Sequence, residues 1–394
     1  MKSNLRHLRV FLAVARYGSV TRAAAASNVS QSAVTQAIAK LEALAGSSLF
    51  RRTPKGVFPT PAGDILVERA RRAFALLDPA LREAGPRLPL TATSAQLAAL
   101  AAMFEAQNFT LAARRLGLAQ PTVHRAIAQL EREAGRPLFE RTPFGSVASR
   151  AAEALAHAAL LAFAELDQAE ADIADAAGRE AGRIVVGAMP LSRARLLPEA
   201  TMLFRAKRPT IPVRIVDGVY DDLLPGLRRG EIDMLVSALR DPPPIGDVTQ
   251  VKLFEDDLAL VCGPEHPLRG AKGITVARMA DYPWVVNAHG TPMRRHFDAL
   301  FAPLGERAPR ALVETGSLIL MRELLRRSDH LGCVSRMQAE AEVALGALAM
   351  LPFAMKATER PIGLTLRADW APTRAQRDFL DALSAVAGGG TTAA

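Results

Sequence analysis

Near the start of the chain the apolar positions fall at helical spacing. Leu8, Phe11, Leu12 and Val14 form one stripe, and Val34, Ile38 and Leu41 recur at i, i+4 and i+7. Between them lies the alanine-rich run 21–27, with Ser19 or Thr21 placed to accept its free N–H groups. The pattern predicts three helices, the third from about Ser30 to Glu42. Asn28 and Val29 mark a tight turn before it, since asparagine tolerates positive φ. The third helix turns Gln31, Ser32, Thr35, Gln36 and Ala39 away from its core stripe. Leu49 and Phe50 then anchor a strand, and Pro54, Lys55 and Gly56 turn a short hairpin. Helix, turn, helix and hairpin together predict a winged helix-turn-helix.

The same pattern is written again. SQSAVTQAIAKLE (30–42) sits over AQPTVHRAIAQLE (119–131), and LFRRTPKG (49–56) over LFERTPFG (138–145), at a constant offset of 89. From residue 5 to 63 about a third of the pairs are identical without a gap, which predicts a duplicated domain of about 60 residues. Gly117 holds the position of Asn28, so both copies keep a residue suited to positive φ. The face of the second helix carries Gln120, Pro121, Thr122, His124, Arg125 and Ala128.

Elsewhere the periods differ. Residues 64–77 (DILVERARRAFALL) are helical, and Pro79 and Pro86 are expected to break that helix before the second copy. Residues 151–177 predict a longer helix. From Gly182 onward, strands at 183–187, 213–216 and 231–236 alternate with helices at 196–204 and 223–229. Trp284-Val285-Val286 opens a second set, and 361–367 returns the chain to the first. Strand alternating with helix predicts a parallel sheet covered on both faces.

Charge changes this picture more than composition does. Net charge is +9, yet residues 1–150 hold 21 Lys/Arg against 9 Asp/Glu, while the rest hold 28 against 31. A basic front and a near-neutral back suggest a polyanion-binding half, a solvated basic surface being the plainer alternative. Gln pairs in two-pronged fashion with adenine, Ser and Thr suit several bases, and Arg125 suits guanine or phosphate. Arg51, Arg52 and Lys55 on the hairpin can reach phosphates. The two cysteines, Cys262 and Cys333, have no CxxC spacing and lie in apolar strands. They suit a reducing, cytoplasmic setting and inert thiols. No signal peptide or membrane span is expected. HExxH, GxSxG, GxxxxGK[ST] and GxGxxG are absent from the sequence and the seven histidines lack ligand spacing, so no enzyme, metal or cofactor is expected.

Residues 11–63, FLAVARYGSVTRAAAASNVSQSAVTQAIAKLEALAGSSLFRRTPKGVFPTPAG, resemble the LysR-type transcriptional regulators, and the resemblance continues toward the C-terminus. Most members carry one such N-terminal domain. This chain is similar to a minority group with two, which includes regulators of sugar-binding-protein genes. The resemblance implies a multidomain chain: two α-helical winged helix-turn-helix domains (1–63 and 94–152), a linker helix and breaker (64–93), a dimerisation helix (153–180), a two-lobed effector domain (181–388) and a disordered tail (389–394). The lobes are expected to be α/β and Rossmann-like, as in periplasmic binding proteins, with phrases such as LRRGEIDMLVSA (227–238) and LFEDDLALVCGPEHPL (253–268) carrying the likeness. The 153–180 helix pairs two subunits on that reading, or is buried within one on the other.

In open α/β sheets ligands sit beyond the carboxyl ends of strands. Those positions here hold Leu191, Ser192 and Arg193; Ser237; Gly290 and Thr291; and Gly316 and Ser317. Each Ser or Thr could instead be a plain helix cap. The implied function is a sequence-specific DNA-binding regulator answering to a sugar or small organic acid. Gln31, Ser32, Thr35 and Gln36 would read bases, with Gln120, Pro121, Thr122, His124 and Arg125 doing so in the second copy. Arg51, Arg52, Lys55 and Arg141 would hold phosphates. The second wing ends in VASRAAE rather than PTPAG, so two readings stand for that copy: DNA reading, or a spacer or assembly surface on a solute-binding sensor. Expected partners are double-stranded DNA, a small-molecule effector, further copies as homodimer or homotetramer, and RNA polymerase. Two-fold assembly would predict a roughly palindromic operator.

Overall fold

The computed structural model describes residues 4–143, 145–243 and 245–388. The tail expected at 389–394 lies outside them. The chain divides into two compact units, essentially after Arg183.

The first unit opens with helices α1 (Leu5–Tyr17), α2 (Val20–Ala26) and α3 (Gln31–Ala45), then hairpin strands β1 (Phe50–Thr53) and β2 (Gly56–Pro59). Each helix has a local start signal: the side chains of Asn4, Ser19 and Ser30 accept backbone N–H groups of His7, Arg22 and Ala33. Asn28 takes φ +52° between α2 and α3. Leu8, Phe11 and Val14 are buried, while Leu12 is only half-buried. α4 (Pro61–Ala84) and the short α5 (Leu88–Thr91) follow. The second copy is α6 (Ser94–Ala106), α7 (Phe109–Leu116), α8 (Gln120–Ala134), β3 (Phe139–Thr142) and β4 (Gly145–Ala148). Here Gly117 supplies the positive φ, +65°. The repeated "LE…LF" phrase has a physical reason. Glu42 Oε1 accepts from Leu49 N–H at 2.8 Å, and Glu131 Oε1 from Leu138 N–H at 2.8 Å. In each copy the third helix thus ties down the backbone that enters its wing.

The expected break at Pro79 does not occur. α4 runs through it to Ala84, and only Pro86 lies outside the helix. Pro79 is exposed and forfeits one backbone bond, at a cost of about 3 kcal/mol. Beyond it Leu81 is buried, as is Leu77 just before it, each worth about 1.5–3 kcal/mol. The Arg9–Asp78 ion pair adds a further anchor beside the proline. Pro79→Ala is therefore expected to stabilise the first unit by about 1–3 kcal/mol, read as a higher urea midpoint by circular dichroism.

α9 (Arg150–Ala176) completes the first unit. Leu155, Ala159, Ala162, Leu166, Ala169 and Ile173 make its buried face, and they share one hydrophobic cluster with Leu66, Ala70, Ala73, Leu77 and Leu81 of α4. The helix expected to pair two subunits is thus covered within the chain. A buried ionic group crosses the helix pair. Arg69 donates to Glu165 at 2.9 Å, to Gln168 at 2.8 Å and to Asp172 at 2.7 Å, and Arg72 reaches Glu165 at 3.3 Å.

The second unit holds two sheets. The first lobe contains β5 (Ile184–Ala188), α10 (Leu196–Lys207), β6 (Val213–Asp217), α11 (Tyr220–Arg228), β7 (Met234–Ala238) and β8 (Val248–Asp256). The chain then builds the second lobe with β9 (Leu258–Cys262), α12 (Val276–Ala280), β10 (Trp284–Val286), α13 (Pro292–Phe301), β11 (Leu312–Glu314), α14 (Leu318–Arg327), β12 (Leu331–Ser335), α15 (Arg336–Ala344) and β13 (Ala349–Met350). It returns with β14 (Arg360–Arg367) and α16 (Arg374–Gly388). The strand expected at 231–236 starts three residues later, at Met234, and the helix expected at 223–229 begins earlier, at Tyr220. Sheet orders are β6-β5-β7-β14-β8 and β11-β10-β12-β9-β13. β5, β6 and β7 are parallel, as are β10, β11 and β12, and β14 inserts antiparallel between β7 and β8. All five residues of β5 are buried, as a strand covered on both faces requires.

One buried histidine in the second lobe sets a pH dependence. His266 Nδ1 accepts from Leu268 N–H at 3.0 Å, which leaves Nε2–H to donate to Asp329 O at 3.2 Å. Burial holds its pKa below the ordinary 6.5, against the opposing pull of Asp329. A depressed histidine pKa favours the fold above about pH 6.5, and that contribution is lost as pH falls through the folded value. Urea midpoints should drop from neutral pH toward about pH 5. His266→Asn, whose Oδ1 can still accept from Leu268, should flatten part of that decline.

Among the described residues no helix is long and apolar enough to cross a membrane, and no group of three or more His, Cys, Asp or Glu is placed to hold a metal ion.

Candidate nucleic-acid interface and effector region

α3 leaves Gln31, Ser32, Thr35 and Gln36 exposed, while Val34, Ala37 and Leu41 are buried. Two of the four are partly engaged. Thr35 Oγ1 donates to Gln31 O at 3.1 Å, and Ser32 shares a hydrogen bond with Ser30 at 2.9 Å. On the wing, Arg51 and Arg52 extend from β1 and Lys55 from the turn, all exposed. Sequence reasoning missed the cations that flank this face. Arg6, His7 and Lys40 line a groove between α1 and α3 that also includes Gln36. His7 reports their field: burial lowers its pKa first, then Lys40 and Arg6. A cationic groove beside an exposed polar helix face is the kind of surface a phosphate strand requires. The signal was legible as Lys40 at i+4 from Gln36, but Arg6 belongs to another helix and only packing brings it there.

α8 presents Gln120, Pro121, Thr122, His124 and Arg125, again exposed, over buried Val123, Ile127 and Leu130. Its start differs. Ala119 offers no capping side chain, and Pro121 in the first turn supplies helix-ready φ instead. Arg125 Nε lies 3.4 Å from Pro121 O, and the His124 ring is 5.2 Å from the ring of Phe109. Arg141 belongs to β3, but its side chain is not described, and Phe144 lies outside the described residues. At the position of Arg51 this wing has Glu140. The second head is therefore richer in charge on its helix and poorer in it on its wing.

In the second unit the predicted effector positions fall at the carboxyl ends of parallel strands. Leu191 and Ser192 are buried in a single 3₁₀ turn after β5, and Met189 N–H donates to Val236 O, which brings that turn beside Ser237. Thr315 N–H donates to Val286 O, which brings the β10 and β11 ends together, and with them Gly290, Thr291, Gly316 and Ser317. Several hydroxyls already have structural duties. Thr291 and Ser317 cap α13 and α14, and Ser192 Oγ donates to Met189 O at 2.9 Å. Arg193 is exposed and pairs with Asp217 at 3.1 Å. Ser237 differs: it is fully buried, and among the described residues its Oγ has no hydrogen-bond partner. Gly290 takes φ +85°, and among the described residues no atom lies near where a Cβ of Gly290 or Gly316 would sit.

The lobes are joined where β8 passes into β9. Arg336 grips Asp257 through two bonds of 2.5 and 2.7 Å, and Met337 N–H donates to Asp256 at 3.2 Å. A cavity of about 240 Å³ opens there, lined in part by Arg195, Glu255, Arg336 and Glu340. Gln338 Nε2 reaches across to Pro190 O at 3.1 Å. Both thiols are unreactive by burial, which pushes Cys262 up to about 11 and Cys333 up to about 12.

The family model for the LysR substrate binding domain matches residues 177–388. The model for the bacterial regulatory helix-turn-helix protein of the lysR family matches twice, at 5–64 and 94–153. The chain belongs to the LysR family of transcriptional regulators. It is 36% identical over 371 residues to the HTH-type transcriptional regulator GalR of Pseudomonas putida, covering 92% of each chain. It is 30% identical over 277 residues to the regulator PcaQ of Agrobacterium fabrum, covering 70% of this chain and 89% of that one. A full-length OxyR variant of Pseudomonas aeruginosa shares the fold with a TM-score of 0.55 at 23% identity, over 76% of this chain and 98% of its own. CbnR complexed with its target DNA matches at 0.50 and 21%, over 74% and 98%. Each of these structures leaves about a quarter of this chain unmatched, the share that one extra copy with its linker occupies. The LysR relatives are transcriptional regulators, not enzymes. The chain is accordingly a DNA-binding transcription regulator with an effector-binding domain.

Proposed function

We propose that both helix-turn-helix copies read DNA and that the two-lobed domain binds a sugar or small organic acid, as in a subgroup with doubled reading heads. Gln31, Ser32, Thr35 and Gln36 contact bases, with Arg51, Arg52 and Lys55 on phosphates. Gln120, Thr122, His124 and Arg125 read a second stretch beside Pro121, and Arg141 supports it from the wing. The effector lies against Ser237, Gly290, Thr291, Gly316 and Ser317, with Leu191, Ser192 and Arg193 at its edge. The observation that carries this reading is a polar helix face, exposed over a buried stripe, present twice ahead of a two-lobed domain. A small organic acid suits the positive ends of α13 and α14 beside their Thr291 and Ser317 caps, and the Ser237 hydroxyl, which has no hydrogen-bond partner among the described residues, suits a polyhydroxy ligand. The protein would act in the cytoplasm, as a homodimer or homotetramer, and reach RNA polymerase from the operator.

The test is a footprint on DNA upstream of its own and neighbouring genes, over a salt series and with candidate sugars and acids. Binding through phosphates should weaken steeply with salt, and the right effector should change the footprint's extent or affinity. Salt-independent association, or a footprint untouched by every ligand that binds the protein, would sink the corresponding half of the proposal.

A further inference from the structure

α4 and α9 occupy equivalent places in the two copies, since Pro61 and Arg150 are 89 residues apart. They pack against each other in opposite directions. Arg69, early in α4, meets Asp172, late in α9, while Arg72, further along α4, meets Glu165, earlier in α9. Their ends repeat one contact with the roles exchanged. After α4, Gly85 lies so close to α8 that a Cβ would be 2.7 Å from Ala134 Cα, and Arg136 donates to Ala84 O at 3.0 Å and to Glu83 O. After α9, Arg179 lies against Gly46 and donates to Ala45 O at 3.4 Å, at the matching end of α3. Each linker helix therefore leaves its own head and ends at the other. A two-fold relation is built inside one polypeptide.

Chain connectivity makes this pairing internal. The second head is docked at the far end of α4, and α9 starts from that head, so its shortest path lies back along α4. The apolar faces of both helices are then consumed in one cluster that contains both heads.

We infer that a single chain is a complete two-headed DNA reader, and that its partner is a pair of unlike half-sites on one duplex. The inference rests on the DNA-reading proposal above. The heads sit at opposite ends of a helix pair about 36 Å long, from the 24 residues of α4. They carry different chemistry at matched positions. Ser32, Thr35 and Gln36 of the first correspond in sequence to Pro121, His124 and Arg125 of the second, and Arg51 corresponds to Glu140. An internal pair of identical heads would favour an inverted repeat, whereas this pair favours an uncharged-amide reader's site followed by an arginine reader's site. A symmetric assembly of two chains would present a palindrome each of whose arms is itself not palindromic.

Two measurements on the full-length protein test this. In the first, Ser47→Cys/Arg179→Cys is treated with a short bismaleimide, with Arg72→Cys/Glu165→Cys as a second pair. Internal pairing predicts a cross-linked product that migrates as one chain at all protein concentrations. A product found only as a covalent dimer would overturn the inference. In the second, the wild-type protein is titrated with its operator and with two symmetrised operators, each built from inverted copies of one half-site. Both symmetrised DNAs are expected to bind at least ~10-fold more weakly, about the cost of one mismatched contact set. Equal or tighter binding of either one would overturn it. If the wild-type protein shows no sequence preference on any DNA, the DNA-reading proposal fails and takes this inference with it. That outcome is told apart by an internal cross-link that persists.

Discussion

Replacing Gln31, Thr35 and Gln36 together by alanine is expected to abolish sequence preference over one part of the operator. Each two-pronged amide contact with a base discriminates by about 1–3 kcal/mol. Losing two of them should lower specific affinity on the order of 100-fold. All three positions are exposed on α3, and Val34, Ala37 and Leu41 beneath them are untouched, so the thermal unfolding midpoint should stay where it is. Binding to unrelated DNA should also persist, because the phosphate contacts proposed for Arg51, Arg52 and Lys55 are kept. The complementary variant, with those three cations changed to alanine, should weaken binding to every sequence alike and flatten its salt dependence by about one slope unit per lost phosphate contact. Competition titrations with operator and random DNA separate the two. A triple-alanine variant of α3 that binds operator as tightly as wild type would remove α3 from base reading.

Breaking the ionic group between α4 and α9 is expected to have the largest effect on stability. Arg69 is 6% exposed and its guanidinium is shared by Glu165, Gln168 and Asp172. Removing one partner of a buried ion group costs about 3–5 kcal/mol, because the opposite charges stay buried without compensation. Arg69→Ala should lose that much, whereas Arg69→Met with Glu165→Gln, which removes charge on both sides, should lose clearly less. Both tryptophans, Trp284 and Trp370, lie in the second unit, so helical circular dichroism and not tryptophan emission must follow the transition. The ionic group also ties the two helices together across their contact, with Arg69 held between Glu165 and Asp172. Arg69→Ala should therefore blunt discrimination between native and altered half-site spacing even where both heads stay folded. An unfolding midpoint that does not move would show that the group contributes little to the helix pair.

Much of the two helix-turn-helix domains is legible in the sequence alone. Helical period, capping serines and the Asn28/Gly117 turn are local properties, and local physics decides them. The exposed faces of α3 and α8 follow from the same period, because a buried stripe on one side leaves the other to solvent. The effector domain's alternating strands and helices were legible for the same reason, with edges off by a few residues at β7 and α11. Less could be read at the effector positions. A Ser or Thr after a strand looks the same whether it caps a helix, as Thr291 and Ser317 do, or stands unpartnered, as Ser237 does. The difference lies in neighbours contributed by other strands.

Pro79 shows where a local rule yields. The proline penalty is real, but burial of Leu77 and Leu81 against the rest of the first unit outweighs it, and no window around residue 79 contains that information. The role of Glu42 and Glu131 was hidden likewise, since each serves backbone seven residues away in the next element. The duplication, the two helix-turn-helix faces, the basic front half and the kind of domain behind them are all written in the order of residues, because composition, period and spacing specify them one segment at a time. That α9 lies on α4 of the same chain, that Arg69 is shared across that contact and that the two heads stand in a two-fold relation came from packing alone. An apolar helix face states that it must be covered, and the choice of cover depends on which surfaces the folded chain brings within reach.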